Sequence, residues 1–346
     1  MGSVHRPHRW STAARWSAVG VAVATALATA VTTGAMTGAA TTLAGAAGPA
    51  APVGQAAPYL ALGWGDPPSP TTVMAATGVR QFTLAFMLAG RGCTPAWDGT
   101  RPLLGGSDAA SIAAIRAAGG DVSVSFGGWS GRKLGAVCRT PAALAAAYEQ
   151  AVDAYGLHAV DIDIEHGEFA SARIRLRVVT ALSQLQAARP GVAISITFGT
   201  TPTGPDAAGR SLIADAAGLG FQPFAWTIMP FDFGAPEPDM GATTVAAAEG
   251  LHTDLMAAYG EDSAQAYAHL GISSMNGRTD EADETVSPAD FTTILDFAQA
   301  DHIARLTFWM VDRDRPCPAG VAPGDTCSGI AQADWAFTSL DARFAG

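Results

Sequence analysis

From about Tyr59 to the C-terminus, short apolar runs alternate with alanine-rich stretches of helical period. The apolar runs predict strands at 59–64, 81–87, 121–127, 158–164, 192–198, 224–229, 269–275 and 304–310. Helical patterns fall between them at 109–118, 141–155, 171–188, 207–219, 243–259 and 288–300, with a last one near 330–344 and a weak first one at 70–76. Thr140 before Pro141, and Ser287 before Pro288, each set a capping residue ahead of a proline at the first helical position. Eight strand–helix units predict an α/β fold of the TIM (β/α)8 barrel type, with a doubly wound open sheet as the alternative.

One strand departs from the apolar pattern. In Ala159-Val160-Asp161-Ile162-Asp163-Ile164-Glu165, three acids occupy alternate positions. Successive strand side chains point to opposite faces, so Asp161, Asp163 and Glu165 share one face and the β-branched residues share the other. A strand that must be covered on both sides suits a parallel sheet. The acids descend from a rim inward, roughly 6–7 Å per step. Like charges this close cannot all ionise cheaply, which predicts at least one retained proton and suits Glu165 to general-acid work. A divalent metal site is the competing reading, but metal ligands converge on a point whereas these acids form a line.

Before the first strand the composition changes. Arg6, Arg9 and Arg15 precede a charge-poor stretch rich in Ala, Val, Thr and Gly, which predicts a secretory signal peptide over residues 1–46. A retained membrane anchor is the alternative, since the run is long enough to span a bilayer. Residues 47–58 read as an Ala/Pro/Gly linker and 59–346 as one barrel domain. The 346 residues carry a formal charge of −11, which argues against nucleic acid and anionic membranes as partners. The four cysteines fit two disulfides in an exported chain. Three pairings are open; proximity favours Cys317–Cys327, and consecutive strands favour Cys93–Cys138. Zinc ligation is a further possibility that no Cys-x-x-Cys pair supports.

The acidic triplet resembles the strand-four signature of glycoside hydrolase family 18, Asp-Gly-x-Asp-x-Asp-x-Glu, with the last three acids matched and His158-Ala159 in place of the first Asp-Gly. Ser125-Phe126-Gly127-Gly128 is similar to the family's Ser-x-Gly-Gly, and Met229-Pro230-Phe231-Asp232 to its strand-six motif. Trp309 matches its strand-eight tryptophan, and Trp309–Cys317 and Cys93–Gly99 look like segments of secreted bacterial chitinases. The resemblance implies a secreted chitinase cleaving β-1,4-linked N-acetylglucosamine polymers by a retaining, substrate-assisted mechanism, a known exception to the two-carboxylate scheme. It implies Glu165 as acid, Asp163 against the acetamide and Asp161 sharing a proton with Asp163. Trp309 would be the sugar floor, with Met229, Asp232, Phe231, Gly127, Gly128 and Ser125 lining the subsite. An endo-β-N-acetylglucosaminidase and a weakly catalytic sugar-binding protein are the rival readings.

His158 is expected to pack behind the acids, and Phe231 and Phe233 stand where relatives often carry a tyrosine. The short segment 276–287 predicts no inserted lobe after strand seven, hence an open groove and endo-acting cleavage. Trp64, Trp97 and Trp129 are candidates for an extended sugar track. No cofactor is expected, and a monomer is assumed.

Overall fold

The computed structural model of the protein describes residues 55–281 and 283–345. The leader predicted over residues 1–46, and most of the linker predicted over 47–58, lie outside these residues.

Eight parallel strands pair in sequence order: β1 (Tyr59–Ala61), β2 (Gln81–Ala89), β3 (Asp121–Gly127), β4 (Ala159–Asp163), β5 (Ala193–Gly199), β6 (Ala225–Met229), β7 (Leu270–Met275) and β8 (Arg305–Trp309). The helices that follow them are α1 (Pro70–Thr77), α2 (Gly106–Ala117), α3 (Pro141–Tyr155), α4 (Ala172–Ala188), α5 (Ala207–Gly218), α6 (Met240–Tyr259), α7 (Pro288–Ala300) and α8 (Ala336–Asp341). This is the (β/α)8 barrel that the alternating pattern predicts. The caps behave as their residues dictate. Thr140 accepts from Ala143 N–H to start α3, and Ser287 and Asp290 form a reciprocal capping box on α7.

The barrel closes upstream of β1. Ala56 bridges in parallel to Leu306, and Leu306 N–H donates to Gln55 O at 3.0 Å. The carbonyl of Ala57 accepts from both Thr83 Oγ1 (2.8 Å) and Thr307 Oγ1 (2.7 Å). Residues 55–58, expected to be linker, therefore belong to the fold. Alanine and proline look like linker by composition, yet their backbone groups supply the seam between β8 and β2.

Side-chain alternation at β4 divides the molecule into two kinds of interior. Val160, Ile162 and Ile164 are buried in the apolar layer between strands and helices, together with Val124, Ile194, Leu182 and Val179. The lumen is polar instead. Arg305 Nη1 donates to Asp161 Oδ1 (2.8 Å) and reaches Thr197 and Thr227, while its Nη2 reaches Thr83 (3.1 Å). A buried guanidinium would be costly alone; four other strands supply it with acceptors in the lumen.

Several short elements escape the period-based reading. Pro95–Trp97 pairs antiparallel with β2, and Gly277–Arg278 with Thr285–Val286 forms a small hairpin between β7 and α7. Short helices occur at Leu134–Val137, His166–Ala170 and Ser263–Tyr267. The last helix is shorter than the predicted 330–344, because Trp335, at positive φ, precedes its first turn. Among the described residues the hairpin is all the regular structure between β7 and α7.

Candidate active site

Backbone geometry brings the turn after β3 against the end of β4. Gly128 N–H donates to Asp163 O at 2.9 Å. Gly127 has φ 120°, and a Cβ there would lie 2.0 Å from that same oxygen. A Cβ on Gly128 would lie 2.5 Å from the Phe86 ring. Only glycine allows this approach.

The three acids lie as the alternation requires, but in different states. Asp161, deepest, has every acceptor position taken. Tyr59 Oη (2.8 Å) and Ser125 Oγ (2.6 Å) donate to Oδ2, and Thr197 Oγ1 (2.7 Å) and Arg305 (2.8 Å) donate to Oδ1. Among the described residues no hydrogen bond joins it to Asp163, on which it acts through its charge. Asp163 is 3% exposed, and its Oδ1 is buried without a partner. Burial first, then the charges of Glu165 and Asp161, push its carboxyl well above the ordinary range. Glu165 stands half-buried at the rim. Burial pushes it up to about 7, against the charge of Lys133, with Asp232 and Asp280 adding to the rise. A carboxyl that keeps its proton near neutrality, above a buried and unsatisfied one, can donate to a leaving group.

Aromatic rings form one wall. Trp309, half-buried at the end of β8, stacks on Phe86 with centroids 5.5 Å apart and planes at 11°. Tyr59 and Trp64 each lie 5.7 Å from it. Met229 ends β6, and the following loop carries Phe231 and Phe233, both packed on the apolar layer. Asp232 Oδ1 accepts from Asp280 N–H (3.0 Å). The buried carboxylate of Glu284, in the hairpin segment, accepts from Asp232 N–H (2.7 Å) and Phe233 N–H (3.2 Å), so this loop hangs on a residue that the motif reading passed over.

Both expected disulfides are present, Cys93–Cys138 and Cys317–Cys327. Two expectations fail. His158 does not pack behind the acids: its side chain is 67% exposed and pairs with Asp121 Oδ2 at 3.2 Å, at the opposite end of the strands. Trp97 is not part of any exposed track. It is fully buried, because its strand pairs with β2 and its Nε1 donates to Tyr155 Oη at 3.0 Å. Trp64 is half-buried, and Trp129 is 66% exposed, edge-on to His166. Arg305, Tyr59, Lys133, Glu168 and Glu284 complete the surroundings; isolated in sequence, none carries a motif that would have marked it.

No family model matches the chain. Two curated relatives do: the "Probable bifunctional chitinase/lysozyme" of Escherichia coli (strain K12), 26% identical over 77% of this chain, and "Endochitinase 11" of Metarhizium anisopliae, 27% identical over 69%. The chain spans 32% and 48% of their respective lengths. Among solved structures, the catalytic domain of the hyperthermophilic chitinase from Pyrococcus furiosus is 29% identical with a TM-score of 0.74, covering 83% of this chain and 93% of that one. A GH18 chitinase from Pseudoalteromonas aurantia shares the fold at 13% identity, with a TM-score of 0.52 over 73% of this chain and 93% of its own. With the four matching segments gathered at one barrel mouth, the chitinase relatives and the Pyrococcus catalytic domain support assignment of the chain to glycoside hydrolase family 18.

Proposed function

We propose that this barrel is a chitinase that hydrolyses β-1,4-linked N-acetylglucosamine polymers with retention of configuration. The observation that carries the reading is the pairing of Glu165, which titrates near neutrality, with the buried and unpartnered Oδ1 of Asp163 beneath it. Glu165 protonates the glycosidic oxygen as the bond to the anomeric carbon breaks. The 2-acetamido oxygen of the same sugar attacks that carbon, giving an oxazolinium-like intermediate. Asp163 accepts the acetamide N–H, which satisfies its orphaned oxygen and orients the acetamido group for attack. Water then opens the intermediate. Asp163 sits below Glu165 on one strand and not across the ring from it, a poor position for direct attack.

Trp309, backed by Phe86, offers a flat apolar face to the sugar, and Met229 and Asp232 bound the same subsite. The small hairpin after β7 leaves one side of the groove open, which favours endo-cleavage. Two disulfides and the leader-like composition favour a secreted protein. The test is Glu165→Gln. We expect loss of reducing-end release from colloidal chitin with oligosaccharide binding retained; wild-type turnover would overturn the assignment. Parallel assays on chitin oligomers and a high-mannose glycopeptide separate this reading from an endo-β-N-acetylglucosaminidase.

A further inference from the structure

Lys133 is buried, the residue being 7% exposed. Its ammonium donates to the carbonyls of Gly127 (3.2 Å), Gly128 and Ser130 (2.7 Å), all from the turn after β3. These carbonyls use its three N–H groups but do not neutralise its charge. None of the ion pairs among the described residues involves it. The charges that oppose the cost of burying it belong to Glu165, Glu168 and Asp163, which sit on or just after β4.

Glu168 completes a bracket. Its buried carboxyl accepts the backbone N–H groups of Gly135 and Ala136, in the short helix that follows Lys133. A Cβ on Gly135 would lie 2.4 Å from its Oε1. The Glu168 carboxyl thus ties the segment 127–138 to the segment 165–170, while the Lys133 ammonium gathers the carbonyls of 127–130 and acts on the carboxyls of 163–168 through its charge.

We propose that Lys133 is a positioning residue for the acid: a buried cation, shared among carboxylates, that seats the Gly127–Gly128 turn and fixes where the alkaline limb of the pH profile falls. The inference rests on Glu165 being the general acid. The charged groups acting on Glu165 are Lys133 from the β3 turn, Asp232 from the loop after β6 and Asp280 from the hairpin, and Asp163 from β4 interacts with it in turn. Lys133 is the one cation among them. The others favour the protonated acid, whereas Lys133 favours the ionised one, as its opposing effect on Glu165 shows.

The test is the pH dependence of chitin-oligosaccharide hydrolysis. Lys133→Gln keeps donors for the turn and removes the charge. Glu165 then holds its proton to higher pH, so the alkaline limb moves up by about half a pH unit or more. Lys133→Arg, which keeps the charge, restores the limb toward its original position. A folded Lys133→Gln variant whose limb superimposes on that of the wild type overturns the proposal, whatever its thermal stability. Should that variant fail to fold, Glu168→Gln reads the same field from the other side. With one carboxyl fewer sharing the ammonium the limb moves to lower pH, and an unmoved limb overturns the proposal. Glu165→Gln separates the two readings. Activity surviving in it sinks the general-acid assignment, whereas an inert Glu165→Gln with unmoved limbs in the other variants sinks only the role of Lys133.

Discussion

Glu165 carries a stability penalty that its own chemistry explains. Its carboxyl titrates at about 7 in the folded protein, against an ordinary 4.5. Between those values the native state binds more protons than the unfolded chain, so this group's contribution falls as pH rises through the window and is fully unfavourable above about 7. Glu165→Gln removes the titration. We expect the variant and the wild type to unfold at similar urea concentrations near pH 4. At pH 8 the variant should be more stable, by on the order of 2–3 kcal/mol. A stability difference that does not change between the two pH values would refute this account. Asp161 is buried more deeply than Glu165, and three hydroxyls together with the Arg305 guanidinium donate to it.

The two disulfides differ mainly in the loops they close. Cys93–Cys138 joins residues 45 apart and ties the segment after β2 to the end of the short helix carrying the Lys133 bracket. Cys317–Cys327 spans only 10. Loop-closure entropy assigns about 4 kcal/mol to the first and about 3 to the second. The Cys93→Ala/Cys138→Ala pair should therefore lower the unfolding temperature more than Cys317→Ala/Cys327→Ala; calorimetry showing the reverse order would sink the argument. The regular elements were legible because each repeats its own period over enough residues, as α3 does over its full length with Thr140 and Gly156 at its ends. Pro95–Trp97 and the strands of the hairpin were not, since two or three residues display no period and take their conformation from a partner strand.

Closure of the barrel depends on residues that composition placed in a linker. A chain beginning at Gln55 keeps the Ala56–Leu306 bridge and the Ala57 carbonyl that satisfies Thr83 and Thr307, whereas one beginning at Tyr59 leaves both buried hydroxyls without that acceptor. We expect the shorter chain to melt at lower temperature in a circular-dichroism scan, and equal melting would show that the seam is dispensable. The sequence by itself determined the barrel class, the order of its strands and the face on which the three acids lie, because these follow from local periodicity and spacing, while the four segments that meet at its mouth were marked by their resemblance to family motifs. The tertiary structure decided what surrounds them. Arg305 reaches Asp161 across 144 residues, Lys133 is buried, Trp97 turns inward, and His158 faces solvent at the far end of its strand. Charge and hydrophobicity are properties of a residue, but burial and partnership arise only when distant strands close around it, and those set where each proton resides.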